Sequence, residues 1–316
     1  MILLKFSKEL PELNIYEIKS LLNTKDYSVF DNLFLAKAGF SEKIKRLAYT
    51  KEACKVLFEA NENNFEKKIN KFNFAKIYKK SFSLKTHNIG KELEKKYANI
   101  IYNRIKNKQN PKVDLRNAET KIEIFKIKNK MFCCILLWEN KEDFESRKPH
   151  NRPSLHPTSM NPKLARCLVN IVDSKTINDP FCGSGGILIE SGLMKLKTTG
   201  YDIDQAMFNR AKTNLDFYKI KNYQLKIQDA TKINKRMIGV VTDLPYGKSS
   251  KLTDELNNLY KNFLNALKKY KKGRAIVCFP DFVDYKKLIK QSGLKIEKEF
   301  SYYLHKSLTK KIIIIK

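Results

Sequence analysis

The sequence predicts an α/β protein whose C-terminal half is a mostly parallel sheet, closed by an antiparallel hairpin and preceded by smaller α/β units. Three observations predict this. From residue 176 onward, short apolar runs alternate with helical stretches, the pattern of a parallel sheet covered on both faces. The chain closes with two strand-like runs, 294–305 and 308–316, joined by a very short turn, which would add an antiparallel edge. With 316 residues, 42% of them hydrophobic, there is enough chain for two or three units with real cores.

Element by element, residues 1–8 read as a strand and 11–22 as a helix, with Leu13, Tyr16, Ile18 and Leu21 at helical spacing. Residues 29–38 and 44–49 read as strands and 51–59 as a helix, so the start is a small α/β unit. Residues 91–107 form an amphipathic helix with Leu93, Tyr97, Ile100, Ile101, Tyr102 and Ile105 on one side. Two alternating runs, 121–128 and 131–139, flank Asn129-Lys130 and read as a hairpin. Residues 140–161 hold three prolines and little periodicity, the signature of an extended connector. Asn161-Pro162 then opens a helix, with Asn as cap and Pro in the first turn. Beyond it, strands are predicted at 176–178, 198–203, 223–228, 238–242 and 274–279, and helices at 186–196, 204–218, 254–271 and 281–291.

Lys and Arg total 63 against 33 Asp and Glu, a net charge of +30. Such self-repulsion is relieved by a polyanion, which points to nucleic acid. Lys, Asn and Ile are abundant together, so part of the excess can be compositional. Its placement is more telling: residues 1–64 carry a net +1, residues 65–130 a net +13, and residues 131–150 a net −1. The basic segment has a helix and strands of its own and is predicted to be a folded RNA-binding module.

The six cysteines, Cys54, Cys133, Cys134, Cys167, Cys182 and Cys278, form no CxxC pair and fit neither a zinc site nor a disulfide framework. Reduced, packed thiols in a cytoplasmic protein are expected, with no metal. No apolar run approaches the ~20 residues needed to span a bilayer, so no membrane association is expected. The start reads as a strand rather than a signal peptide.

The first predicted strand of the parallel sheet runs into Asp179-Pro180-Phe181-Cys182-Gly183-Ser184-Gly185-Gly186, and a helix follows. Glycines there let the backbone approach a ligand and turn into the helix. The run fits neither G-x-G-x-x-G nor a phosphate-binding P-loop. An acid ahead of the glycines suits a ligand with a cationic amino-acid end. The second strand ends at Tyr201-Asp202-Ile203-Asp204, where Asp202 can accept from both hydroxyls of a ribose and Asp204 caps the next helix. The third ends at Asp229-Ala230, where an acid can accept from an adenine amine. Alone, each Asp reads as a cap or a turn residue. In register at successive strand tips they offer contacts for methionine, ribose and adenine in order.

The fourth strand ends at Asp243-Leu244-Pro245-Tyr246-Gly247. A base amine is a poor nucleophile because its lone pair is delocalised into the ring. A carboxylate and a backbone carbonyl that accept its N–H bonds favour a pyramidal nitrogen. Pro245 stiffens the loop, and Tyr246 offers a face for an extruded base to stack on. This constellation predicts direct methyl transfer to an exocyclic amine of a base.

DPFCGSGG and DLPYG resemble the cofactor loop and the (D/N)-P-P-(Y/F) motif of the class I, Rossmann-like methyltransferases, with Leu244 in place of the commoner Pro. Further upstream, KFSKELPELNIYEIKSLL, PKVDLRNAETKIEIF and RPSLHPTSMNPKLARCLVN resemble the archaeal and eukaryotic tRNA guanine-10 N2-methyltransferases. The resemblance covers nearly the whole chain. It implies a ferredoxin-like domain at 1–62, a THUMP domain at 63–138, a linker at 139–160 and a Rossmann-like methyltransferase domain at 161–316. It implies S-adenosylmethionine as cofactor, held by Asp179, Phe181, Cys182, Gly183, Ser184, Gly185, Asp202, Ile203, Asp229 and Ala230. It places catalysis at Asp243, Leu244, Pro245 and Tyr246. It implies tRNA as partner and admits a small zinc-binding activator protein. Three alternatives stay open: the same chemistry at guanine 6 of tRNA or on ribosomal RNA, an RNA-binding protein with an inactive enzyme domain, and a DNA adenine methyltransferase.

Overall fold

Two seven-stranded sheets organise the chain. The computed structural model describes residues 1–156, 159–246, 250–306 and 308–316. Its contacts separate two units: Met1–Pro11 with Leu22–Lys45 and Thr50–Lys141, and Glu12–Leu21 with Arg46–Tyr49 and Glu142–Lys316.

In chain order the elements up to residue 139 are β1 (Ile2–Phe6), α1 (Pro11–Leu22), β2 (Tyr27–Phe30), β3 (Leu33–Ala36), β4 (Thr50–Asn61), α2 (Glu62–Lys71), β5 (Phe82–His87), α3 (Lys91–Lys106), β6 (Thr120–Ile127) and β7 (Lys130–Glu139). The strands join in the order β2-β3-β1-β4-β7-β6-β5. Only the β5–β6 pair is parallel. A cluster around Phe58, Phe65, Ile69, Phe82, Tyr97 and Ile101 packs residues of α2 and α3 with residues of the strands.

Three expectations are corrected here. Residues 29–38 are not one strand but the hairpin β2–β3, with Asp31 at φ 49° turning the chain. Residues 44–49 begin in a 3-10 turn, Glu42–Arg46, whose Ile44 is buried. Residues 51–59 are strand, not helix. The Lys, Glu and Ala content there favours a helix, but β4 pairs with β1 on one side and β7 on the other, and ladders on both edges override a weak propensity. Helix α2 and strand β5 went unpredicted. In α2, Phe65 and Ile69 are the buried positions among Lys and Asn, too sparse a stripe to read. Helix α3 forms as predicted, with Tyr97, Ile101 and Ile105 buried at i, i+4 and i+8, while Leu93 is exposed. The β6–β7 turn lies at Lys128-Asn129, one residue earlier than predicted.

The second unit holds α4 (Pro162–Val172), β8 (Thr176–Asp179), α5 (Gly186–Leu193), β9 (Lys197–Asp202), α6 (Gln205–Phe217), β10 (Tyr223–Ile227), β11 (Met237–Asp243), α7 (Ser250–Tyr270), β12 (Lys271–Pro280), α8 (Tyr285–Gln291), β13 (Ile296–His305) and β14 (Leu308–Ile315). Asn161 caps α4 as predicted, accepting from the Lys163 and Leu164 amides at 2.9 and 3.4 Å. The strand order is β10-β9-β8-β11-β12-β14-β13. The first five strands are parallel, and β14 runs antiparallel between β12 and β13. Ile312–Ile315 are all buried, as a continuous apolar run in the middle of a covered sheet should be. This is the Rossmann-like α/β architecture the sequence predicted. Its order reverses between β8 and β11, the switch point at which open α/β sheets bind ligands.

Residues 142–156, expected to run as an extended connector, are fastened to this unit; Pro157 and Thr158 lie outside the described residues. The segment makes two 3-10 turns, and Arg147 donates to Glu190 at 2.7 and 3.3 Å. Arg166 of α4 donates to the same carboxylate at 2.9 Å. Glu190 is fully buried, so two guanidinium partners are what make its charge tolerable there. Within the same unit Glu17 of α1 is also fully buried, accepting from the Ala48 amide at 2.8 Å and from Asn170 at 2.7 Å.

Candidate active site

The four acidic strand tips meet around one cavity of about 690 Å³ at the switch point. Its wall includes Asp179, Phe181, Cys182, Gly183, Ser184, Asp202, Ile203, Asp229 and Ala230 from the first three tips, and Asp243, Leu244, Pro245 and Tyr246 from the fourth. Of the cofactor and catalytic residues singled out from sequence, all of them described, Gly185 is the one absent from the lining. It stands at φ 86° at the start of α5, and its amide donates to the Cys182 carbonyl at 2.8 Å. Gly247, the last residue of the motif, lies outside the described residues.

The loop after β8 is held from several sides. The Gly183 amide donates to Asp202 at 2.8 Å, and the Cys182 amide donates to the Tyr201 carbonyl at 2.9 Å. Asn214 of α6 donates to the Ser184 carbonyl at 2.9 Å. Close packing also demands Gly200 in β9: a Cβ there would lie 2.4 Å from Leu188 and 2.9 Å from the Cys182 sulfur.

Asp179 is 1% exposed, and its Oδ1 accepts from the Thr242 hydroxyl at 2.7 Å and the Phe181 amide at 3.2 Å. These are neutral donors. Burial therefore pushes its carboxyl up to about 8, and the nearby Asp243 and Asp202 push in the same direction. A cation placed beside this carboxyl would displace its proton and hold it ionised, and the amino-acid end of S-adenosylmethionine carries one. Asp202 accepts from the Gly183 and Asp204 amides, the latter at 3.0 Å, and a carboxylate has lone pairs left for hydroxyls. Asp204 caps α6 through the Ala206 amide at 2.7 Å, as expected. Asp229 uses one oxygen for the Thr231 amide and hydroxyl, at 2.8 and 2.7 Å. The donor set and the cavity thus fit S-adenosylmethionine.

The fourth tip is tied down at Leu244 and Pro245. The Leu244 side chain is buried, its amide donates to the Cys278 carbonyl at 3.1 Å, and the Tyr260 hydroxyl donates to the Pro245 carbonyl. Asp243 is paired with Lys310 of β14, which is 3% exposed and whose Nζ also lies 5.5 Å from the Tyr246 ring centre. Burial pushes the Asp243 carboxyl above the usual range, against the pull of Lys310. Burial pulls Lys310 down, but Asp243, Cys278 and Tyr246 together raise it above the usual range.

Sequence reasoning missed Lys310, Thr242, Tyr260 and Asn214. Lys310 left one signal: Leu308, Lys310 and Ile312 alternate onto one buried face of β14. The others look like ordinary core residues until the chain is folded. In the first unit Glu52, His87 and Glu123 come close enough to hold a metal, with His87 and Glu123 at 2.7 Å. Lys5 and Lys85 stand 3.3 and 3.5 Å from Glu52, so that carboxylate already has cationic partners. In the basic segment, every Lys and Arg of residues 65–130 except Arg104, Lys121 and Lys126 is exposed.

Comparison with known proteins follows the same lines. A family model described as an RMKL-like methyltransferase domain matches residues 149–311. A DNA methylase model matches residues 21–213, a range that stops within α6, short of β11. A tRNA (guanine(10)-N2)-dimethyltransferase of Methanothermobacter thermautotrophicus is 32% identical, over 98% of this chain and 97% of that one. One from Pyrococcus abyssi is 30% identical, over 97% and 96%. Among solved structures, TrmN from Thermus thermophilus aligns over 100% of this chain and 98% of its own at a TM-score of 0.53 and 15% identity, a likeness of fold.

Proposed function

The chain belongs to the tRNA (guanine(10)-N2)-dimethyltransferase family, and from that premise we propose that it methylates the exocyclic N2 amine of guanosine 10 in tRNA. The observation that carries this reading is the convergence of Asp179, Asp202, Asp229 and Asp243 on one cavity at the switch point.

When bound, S-adenosylmethionine supplies a sulfonium methyl open to in-line attack. Asp179 takes its ammonium end, Asp202 its ribose hydroxyls and Asp229 its adenine amine. Phe181, Cys182, Gly183, Ser184 and Gly185 shape the methionine end, and Ile203 and Ala230 flank the nucleoside. Asp243 and the Leu244 carbonyl accept the N–H bonds of the base amine and direct its lone pair at the methyl. Tyr246 stacks on the base, a contact worth about 1–3 kcal/mol. Because the enzyme forms no covalent intermediate, catalysis here is positioning and electrostatics.

From the family resemblance we assign residues 1–62 to a ferredoxin-like domain, 63–138 to a THUMP domain and 161–316 to the methyltransferase domain, with 139–160 between; by their contacts Glu12–Leu21, Arg46–Tyr49 and the chain from Glu142 go with the last of these. The exposed lysines of 65–130 support tRNA contact by the second of these. No helix among the described residues is long and apolar enough to cross a membrane. We place the protein in the cytoplasm with its tRNA substrate, and a small zinc-binding activator is a partner to be tested.

The test is transfer of labelled methyl from S-adenosylmethionine to tRNA transcripts, with nucleoside mass spectrometry to locate the product. Incorporation that disappears when guanosine 10 is replaced supports the reading. No incorporation, with and without an activator, overturns it.

A further inference from the structure

We propose that Lys310 is a positioning residue for methyl transfer: its buried ammonium clamps Oδ2 of Asp243, leaving the other carboxylate oxygen to accept from the base amine. This rests on the reading of Asp243 given above.

The placement argues against a purely structural lysine. Lys310 lies opposite Pro280 of β12 and Tyr302 of β13, within the sheet rather than on its rim. An ammonium in such a place needs a charged partner, and the partner it has is the acid of the fourth strand tip. Its position 5.5 Å from the Tyr246 ring centre ties the same charge to the aromatic face that the base would meet.

The charge state of Asp243 is the chemical stake. An ionised Asp243 accepts the amine's N–H; a protonated one offers a donor to a nitrogen that must give up its own hydrogen bonds. Among the described residues, the other groups around it work against ionisation or are neutral. Asp179 of β8 is an acid, Cys278 of β12 and Tyr260 of α7 are buried, Tyr246 follows in the same loop, and Glu255 lines the same cavity. Lys310 supplies the opposing positive charge, and it does so without occupying the cavity.

The test is the pH dependence of kcat for tRNA methylation at saturating S-adenosylmethionine, which removes the limb that Asp179 gives to cofactor binding, for full-length Lys310→Met and Lys310→Arg beside the wild type. Lys310→Met keeps the length and loses the charge. Its acidic limb is expected to move up by a unit or more, which at fixed neutral pH is a loss of at least about tenfold that recovers as pH rises. Lys310→Arg should keep the limb near its wild-type place. Cofactor affinity, measured by calorimetry, should stay within about twofold in both, since Lys310 acts through Asp243. If Lys310→Met fails to fold, Lys310→Gln, which retains a donor without charge, carries the same comparison. A folded, cofactor-binding neutral variant with an unmoved limb overturns the proposal. A wild-type enzyme inactive on tRNA would instead overturn the function proposed above.

Discussion

Cofactor binding should depend steeply on pH, and Asp179 sets the dependence. With its carboxyl pushed up to about 8, Asp179 in the free protein is protonated at neutral pH. A cationic ligand needs it ionised, so binding below pH 8 must expel a proton. About one carboxyl in a hundred is ionised at pH 6 and one in ten at pH 7, so affinity should rise close to tenfold across that unit. The ligand's own amine, with an ordinary pKa of about 7.7–8.0, loses its charge above pH 8 and turns the curve over. The expected profile is a bell centred near pH 8. Calorimetry in buffers of different ionisation enthalpy should show close to one proton released near pH 6.5. Asp179→Asn should bind more weakly and lose the acidic limb. A wild-type affinity that is flat between pH 6 and 8, or a limb that survives in Asp179→Asn, would refute the reasoning. The same shift has a folding consequence. Because the folded pKa is raised, the native state holds a proton that the unfolded state has released between about pH 4 and 8. The ligand-free protein therefore loses stability as pH rises through that window, by up to about 6 kcal/mol at 1.36 kcal/mol per unit. Asp179→Asn escapes that cost and should melt higher than the wild type at pH 8.

Three further outcomes are expected. Asp243→Asn should slow methyl transfer by about 100-fold or more while leaving cofactor affinity near normal; joint loss of both would reassign the residue to the cofactor. Glu190→Ala should destabilise the second unit by about 3–5 kcal/mol in denaturant titration, because Arg147 and Arg166 would be left buried with Glu142 as the one carboxylate they share among the described residues; a loss under 1 kcal/mol would show that Glu142 and water compensate. Replacing the exposed Lys76, Lys79 and Lys80 with Gln should weaken tRNA binding and flatten its log-salt slope by about one for each phosphate contact removed; an unchanged slope would place the phosphates elsewhere.

The second half of the chain was legible because it obeys simple periods. An acid stands at or within two residues of the end of each of the first four parallel strands, and α5, α6 and α8 each start from a glycine or a capping Asp. Asn161-Pro162 fixed a helix start to the residue. The first half was harder for a physical reason. Its strands draw their identity from partners far away in sequence, as β4 does from β1 and β7, and a window of Lys, Glu and Ala carries no trace of those partners. The site divided in the same way. Residues at strand tips were visible because a motif holds them together. Thr242, which bonds Asp179 from a strand 63 residues on, and Lys310, 67 residues beyond Asp243, were invisible because only the sheet brings them near.

Glu12–Leu21 and Arg46–Tyr49 are held with the second unit, and this gives the chain an order of assembly. As the polypeptide is made, strands β1 to β7 are complete once residue 139 has emerged. The carboxylate of Glu17 then still lacks Asn170, which follows 153 residues after it. Helix α1 must therefore wait, and with it an acid destined for full burial. Cutting the gene at the end of β7 would likewise yield a catalytic fragment missing one of its own helices. A single crossover at that point would part the catalytic half from α1 and from the carboxylate of Glu17.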